Sequence, residues 1–192
     1  MKNVFFKKMA IVAIAAVTMS VAAHAQIPTF NKGDNLVGAG IGFGGTLYSG
    51  SGYSNKMPAI SFHYEHCVVD NLWDEKSSIG VGGILGYTSA KWEYSGYGWK
   101  YSSVIIGARG SLHYAFVDKL DTYAGLMIGY NIVSAKETGS YRIGENTYRR
   151  SRSAACSYFF VGGRYYLTDN FAAFAELGYG IAIINLGVSI KF

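Results

Sequence analysis

The sequence predicts an all-β protein, an eight-stranded antiparallel up-and-down transmembrane β-barrel, and three observations predict it. The first is a period of two in the C-terminal stretch: Ile184, Leu186, Val188, Ile190 and Phe192 alternate with Asn185, Gly187, Ser189 and Lys191, which is a strand pattern and not a helical one. The second is that charged residues share the glycine-rich face of the strands while the opposite face is continuously apolar. The third is that short turns alternate with long loops along the chain. Composition agrees: 16 Tyr, 11 Phe and 25 Gly against only 2 Pro suit a sheet in which large and very small side chains alternate.

Residues 1–25 are expected to be a cleaved signal peptide, with residues 26–192 forming a single barrel domain. Lys2, Lys7 and Lys8 make a basic head, Met9 to Ala22 an apolar run, and Ala23-His24-Ala25 a small-x-small cleavage site. The run is short for a membrane-spanning anchor. Loss of the leader takes the basic count from 17 to 14 against 12 acidic residues and the net charge from +5 to +2, so the overall basicity argues little for nucleic acid. No later stretch is apolar for long enough to span a membrane as a helix.

Eight strands are expected over 35–46, 57–69, 78–92, 100–116, 121–135, 153–168, 171–180 and 184–192. In the first, Gly38, Gly40, Gly42 and Gly44 fall on one face. Gly40-Ile41-Gly42-Phe43-Gly44-Gly45 formally matches a dinucleotide fingerprint, but its period is two and no helix follows to receive a phosphate. The bare face instead leaves room for long side chains opposite. In the second strand Ile60, Phe62, Tyr64 and Val68 oppose Ser61, His63, Glu65 and Cys67. In the fourth, Val104, Ile106, Ala108, Leu112, Tyr114 and Phe116 oppose Ser103, Gly107, Arg109, Ser111 and His113. The sixth and seventh turn Val161, Gly163, Tyr165, Leu167, Phe171, Ala173, Ala175, Leu177 and Tyr179 outward and Arg164 and Glu176 inward. An arginine facing lipid at mid-bilayer costs about 2–4 kcal/mol, so the polar face is the lumen. A soluble barrel has the reverse arrangement.

Val117 to Leu120 and Thr168 to Asn170 are expected to be tight turns, with Asp70 to Ser77 slightly longer, on the periplasmic side. The connections around 47–56, 91–99 and 134–153 are expected to be long outer loops, and Gly180 to Ile183 a short one. Tyr114, Phe116, Tyr165, Leu167 and Phe171 lie beside the periplasmic turns, where an aromatic girdle belongs.

Gly162-Gly163-Arg164-Tyr165-Tyr166, the turn Thr168-Asp169-Asn170, Phe174-Ala175-Glu176-Leu177-Gly178-Tyr179-Gly180 and the terminal Ile190-Lys191-Phe192 resemble small outer-membrane β-barrel proteins. These are the porin-like or outer-membrane protein X and A type family, especially its Bacteroidetes forms. The resemblance is strongest in the last two hairpins. It implies a bacterial outer-membrane location and gives Phe192 the role of a signal read by the barrel-assembly machinery.

Glu65, Arg109, Arg164, Glu176 and Lys191 share inward parity, with His63 and His113 beside them. In a lumen only wide enough for its own side chains, they are expected to form a plug of ion pairs. A narrow pore built from the same groups is the functional alternative. Ser111, His113, His63 and Glu65 could supply a nucleophile, base and acid for a lipid-active enzyme, but such chemistry needs them at the rim and their parity is inward. Cys67 and Cys156 are expected at different heights on opposite sides of the barrel, too far apart to bond. No metal or cofactor site has suitable ligand spacing.

The outer connections carry Lys56, Lys91, Lys100, Lys136, Arg142, Arg149, Arg150 and Arg152 against Glu93, Glu137 and Glu145. The periplasmic ones and the N-terminal segment carry Asp34, Asp70, Asp74, Glu75, Asp118, Asp121 and Asp169 against Lys32, Lys76 and Lys119. Arg142, Arg149, Arg150 and Arg152 are therefore candidates for contact with outer-membrane lipid, including lipopolysaccharide, or with an acidic surface ligand; solubility of a long hairpin accounts for the same charges. The expected protein is a monomer without catalysis, acting in membrane integrity, adhesion or ligand binding.

Overall fold

The computed structural model describes residues 29–45, 47, 53–94, 97–137 and 149–192, and for residues 53–56, 93, 94, 97, 149 and 150 it gives the backbone alone. The expected leader, residues 1–25, lies outside the described residues, as does Arg142.

Eight strands form one closed antiparallel ring in sequence order: β1 (Asn35–Phe43), β2 (Tyr53–Asp70), β3 (Ser77–Tyr94), β4 (Tyr97–Val117), β5 (Leu120–Glu137), β6 (Arg149–Tyr166), β7 (Phe171–Tyr179) and β8 (Ile184–Lys191). β1 pairs with both β2 and β8, closing the ring. Asn35 and Phe192 continue that seam, each donating its backbone N–H to the other's carbonyl at 2.9 and 2.8 Å.

The faces divide by parity. Phe62, Ile106, Leu126, Ile128, Phe159, Leu177 and Ile190 are exposed on the outside, while Ser61, His63, Glu65, Arg109, His113, Asp121, Arg164 and Glu176 are buried inside. A surface this apolar around a polar interior is the arrangement a barrel takes in lipid. Phe116, Tyr165, Leu167 and Phe171 are exposed beside the short turns, at the end expected to carry the girdle. Val68 departs from the expected alternation. A bulge between Cys67 and Val69 leaves it half-buried and makes Val69 the exposed residue, because an extra residue in one strand resets its parity.

The inner face of β1 is bare for a steric reason. A Cβ at Gly38 would collide with His63 Cε1, one at Gly40 would lie 2.6 Å from Asn185 Oδ1, and one at Gly42 2.5 Å from Ala182 Cβ. β1 ends at Phe43, short of the expected residue 46, because Gly44 adopts a φ of 71° that turns the chain out of the ladder.

The larger departure is in height. β3 and β4 stay paired from Ser77↔Tyr114 up to Tyr94↔Tyr97, so 91–94 and 97–99 of the long loop expected there are ladder instead. Trp92 opposes Trp99 there, an aromatic cross-strand pair that holds a hairpin together without a membrane around it. β5 and β6 likewise pair up to Lys136↔Arg149, and β2 begins at Tyr53. The wall is therefore lopsided: β2 to β6 have 18 to 21 residues, whereas β1, β7 and β8 have 9, 9 and 8. At about 3.3 Å per residue and a tilt near 40°, nine residues rise about 23 Å, roughly the height of an apolar band, and eighteen rise about 45 Å. The tall wall stands about 20 Å clear of that band.

Candidate functional site

The candidate site is the lumen. Because β2, β4, β5, β6 and β7 each turn alternate side chains inward, residues distant in sequence converge on one axis. In the cluster nearer the short turns, His113 directs Nε2 at Glu65 Oε1 and Nδ1 at Asp121 Oδ1, both at 3.0 Å. Each ring nitrogen therefore faces a carboxylate, a group that only accepts when ionised. Arg164 donates from Nη1 to Asp121 Oδ2 at 2.8 Å and places Nη2 3.5 Å from Glu65 Oε2. Ser111 Oγ donates to Glu65 Oε1. Phe30 lies 4.7 Å from the His113 ring and is buried with Leu36 and Cys67, covering this cluster from the turn end.

The second cluster is higher. Arg109 donates from Nη2 to Glu176 Oε1 at 2.9 Å, and Tyr123 Oη donates to the same oxygen at 3.1 Å. Asn185 Nδ2 reaches Glu176 Oε2 at 3.4 Å and Ser61 Oγ at 3.1 Å. The Arg109 guanidinium lies 4.2 Å above the Phe160 ring and that of Arg164 4.9 Å above the Tyr123 ring. Tyr123 thus belongs to both clusters. The side chains of Arg109, Arg164, Glu65 and Asp121 are at most 1 % exposed, so the pairs act in a medium where an unmatched charge is expensive.

Above Arg109 the β7–β8 connection folds inward. Ile181 Cδ1 would be 2.5 Å from a Cβ on Gly86, and Ala182 is buried against Gly42. Ile181 borders two small cavities, one of about 50 Å³ against Arg109 and Glu176 and one of about 210 Å³ between Gly42, Met57 and Thr88 at the loop end.

Of the residues expected to share the lumen, Glu65, Arg109, Arg164 and Glu176 meet and Lys191 does not. Lys191 sits at the mouth, its Nζ donating to Thr29 O at 3.0 Å and standing 3.5 Å from Asp34 Oδ2, because the segment before β1 folds back across that end of the barrel. His63 is buried but neither ring nitrogen has a hydrogen-bond partner among the described residues; it packs edge-on against Phe174 at 5.2 Å. Ser111, Glu65 and His113 do touch, yet all are sealed inside the wall, away from the rim that lipid chemistry requires. Cys67 and Cys156 are free thiols. Arg152 is exposed on β6, Arg149 and Arg150 are described in backbone only, and Phe192 is exposed at the seam.

Asp121, counted in the sequence among the periplasmic charges, is a core member of the network. It lies inside the expected fifth strand, 121–135, as well as in β5, and the shared parity of Asp121 with Tyr123 is the signal for its inward place. Phe30 carried no such signal, since it precedes the first alternating segment.

No protein-family model matches this sequence, and no curated protein matches it. Among solved structures it is similar to Ail, the attachment invasion locus protein of Yersinia pestis, with a TM-score of 0.53, 13% identity, and coverage of 84% of this chain and 99% of that one; that structure holds the heparin analogue sucrose octasulfate. A second structure of Ail gives a TM-score of 0.52 at 15% identity over the same shares of the two chains. At such identity the likeness is one of architecture. The chain has the fold of an eight-stranded up-and-down transmembrane β-barrel.

Proposed function

We propose that this protein resides in a bacterial outer membrane, reached by way of the leader over residues 1–25, and acts at the cell surface through its loop-end hairpins. On this reading the lumen is a structural core, the barrel is a monomer without catalysis, and Phe192 is the signal read by the assembly machinery. The hairpins contribute to membrane integrity, adhesion or ligand binding, with Arg142, Arg149, Arg150 and Arg152 facing an anionic surface ligand or lipopolysaccharide.

One observation carries the reading. The interior is crossed at mid-height by fully buried, mutually paired charges, while the tall wall rises well beyond the apolar band. Groups able to meet an outside partner are therefore on the hairpins. Ail, of similar architecture and named for attachment, was solved with a sulfated sugar analogue, and that supports a surface role for such hairpins.

Planar-bilayer recording on the purified barrel tests the filled lumen: no sustained unitary conductance is expected, and defined channels would favour the narrow-pore alternative. Binding of a soluble 134–153 hairpin, or of whole cells, to sulfated and phosphorylated glycan arrays tests the surface role. Equal binding by an Arg142/Arg149/Arg150/Arg152→Ser variant would remove those arginines from it.

A further inference from the structure

The register places like charges directly opposite one another across four consecutive strands. Lys91 of β3 pairs with Lys100 of β4, Lys100 with Lys136 of β5, and Lys136 with Arg149 of β6. The three lysines are exposed, and parity puts them on the outer face of the wall, in line with Val104, Ile106, Leu126 and Ile128. None of the three forms an ion pair among the described side chains. The nearest acidic positions by register are Glu93, opposite Gly98, and Glu137, opposite Trp99.

Two residues nearer the apolar band, Ser102 opposes Ser134 and Ser134 opposes Ser151; two further down, Val104 opposes Ile132. Going up the outer face, the wall therefore reads apolar, then hydroxyl, then cationic. With strands about 4.8 Å apart, the cationic row is about 14 Å long, and strand tilt makes it climb obliquely. Like charges directly opposite in a ladder destabilise it, so the row exists against the interest of the fold. A counter-charge from outside the chain removes that conflict.

We propose that the three lysines of the row, Lys91, Lys100 and Lys136, with Arg149 at the next register position, form a binding site for the phosphorylated headgroups of glycolipid in the leaflet beside the barrel. The site holds a lipid whose acyl chains lie along the apolar band below and whose phosphates meet the ammonium groups, with the serine hydroxyls donating between. Its position decides for a membrane lipid over a soluble glycan: the row faces sideways from the wall, directly above the lipid-contacting surface. This rests on the outer-membrane residence and orientation proposed above.

The test is native mass spectrometry of the full barrel in a non-ionic detergent, titrated with bisphosphorylated lipid A and with its dephosphorylated form. Wild type is expected to bind the phosphorylated form preferentially, and Lys91→Ser/Lys100→Ser/Lys136→Ser to lose on the order of 100-fold in that affinity. Lys32→Ser/Lys76→Ser/Lys119→Ser at the opposite end should bind as wild type. Without lipid A, the row variant should also resist urea better than wild type, because it relieves the like-charge ladder. If the triple variant does not fold, Lys100→Ser alone, at the middle of the row, should lose several-fold. Equal binding of both lipid forms, or unchanged binding by the row variant, overturns the proposal. So does equally tight binding of an octasulfated disaccharide lacking acyl chains, which would move the anion into solution. Failure of the barrel reading itself would look different: no heat-modifiable gel mobility and no retention of any lipid.

Discussion

Replacing Glu176 by Gln tests whether the lumen is a dry, filled core. The substitution keeps the shape and one oxygen able to accept from Tyr123, but removes the charge that Arg109 meets at 2.9 Å. Arg109 is buried between that carboxylate and the Phe160 ring, and no other carboxylate is hydrogen-bonded to it among the described residues. An uncompensated buried charge costs about 3–5 kcal/mol. With a urea m-value of about 2 kcal/mol/M, the unfolding midpoint should fall by about 1.5–2.5 M. The assay is equilibrium urea unfolding of the barrel in lipid vesicles, followed by tryptophan fluorescence. The paired variant Arg109→Met/Glu176→Leu, which removes both charges, should recover most of the loss, since apolar replacement of a whole buried pair is often neutral or stabilising. A midpoint shift under about 0.3 M for Glu176→Gln, equivalent to about 0.6 kcal/mol at the same slope, would refute the reasoning, because only water in the lumen could screen Arg109 so well.

Three further outcomes follow from other parts of the wall. Phe30→Ala should destabilise the barrel by about 3–5 kcal/mol in the same unfolding assay, as it removes the ring packed against His113, Leu36 and Cys67. Electrophoresis with and without reductant should give one identical mobility, and Cys67, buried, should react with a thiol reagent only after unfolding. Asp74 lies in the β2–β3 turn, where desolvation would raise its pKa, but hydrogen bonds from Tyr114 Oη at 2.8 Å and from the Lys76 and Ser77 side outweigh it and hold the carboxyl below its ordinary value. A depressed folded-state pKa contributes stability that is present above the unfolded value and is lost as pH falls through the folded one. Tyr114→Phe should therefore lower stability near neutrality and flatten the profile below about pH 4, so that the difference from wild type closes on the acid side.

Strand number, order and faces were legible in the sequence because a period of two leaves little freedom once charge and glycine fall on one side. Arg109, Arg164, Glu65 and Glu176 could be assigned to one interior from parity alone. Which carboxylate meets which cation could not, since that depends on stagger around the ring. Parity carries no height, so Lys191 was grouped with residues well above it. Asp121 opens the expected fifth strand but counts there among the periplasmic charges, which conceals its inward role, and Phe30 lies outside any repeat. The height of β3 and β4 departs from expectation for a chemical reason: Lys91 to Trp99 is rich in Tyr, Gly, Trp and charge, which reads as loop, but Trp92 sits opposite Trp99 and Tyr94 opposite Tyr97 in a ladder.

The unequal wall gives this molecule a heading. A barrel of even height presents the same profile whichever way it is turned about the membrane normal. Here β7, β8 and β1 form a low side and β2 to β6 a raised one, so the rim resembles a scoop whose open edge points in one direction along the membrane plane. Whatever approaches over the low side meets the inner face of the raised wall, whereas a neighbour on the far side meets its outer face. In a crowded membrane the two approaches are different encounters, and rotation of the barrel about its own axis becomes a variable that neighbouring molecules can set.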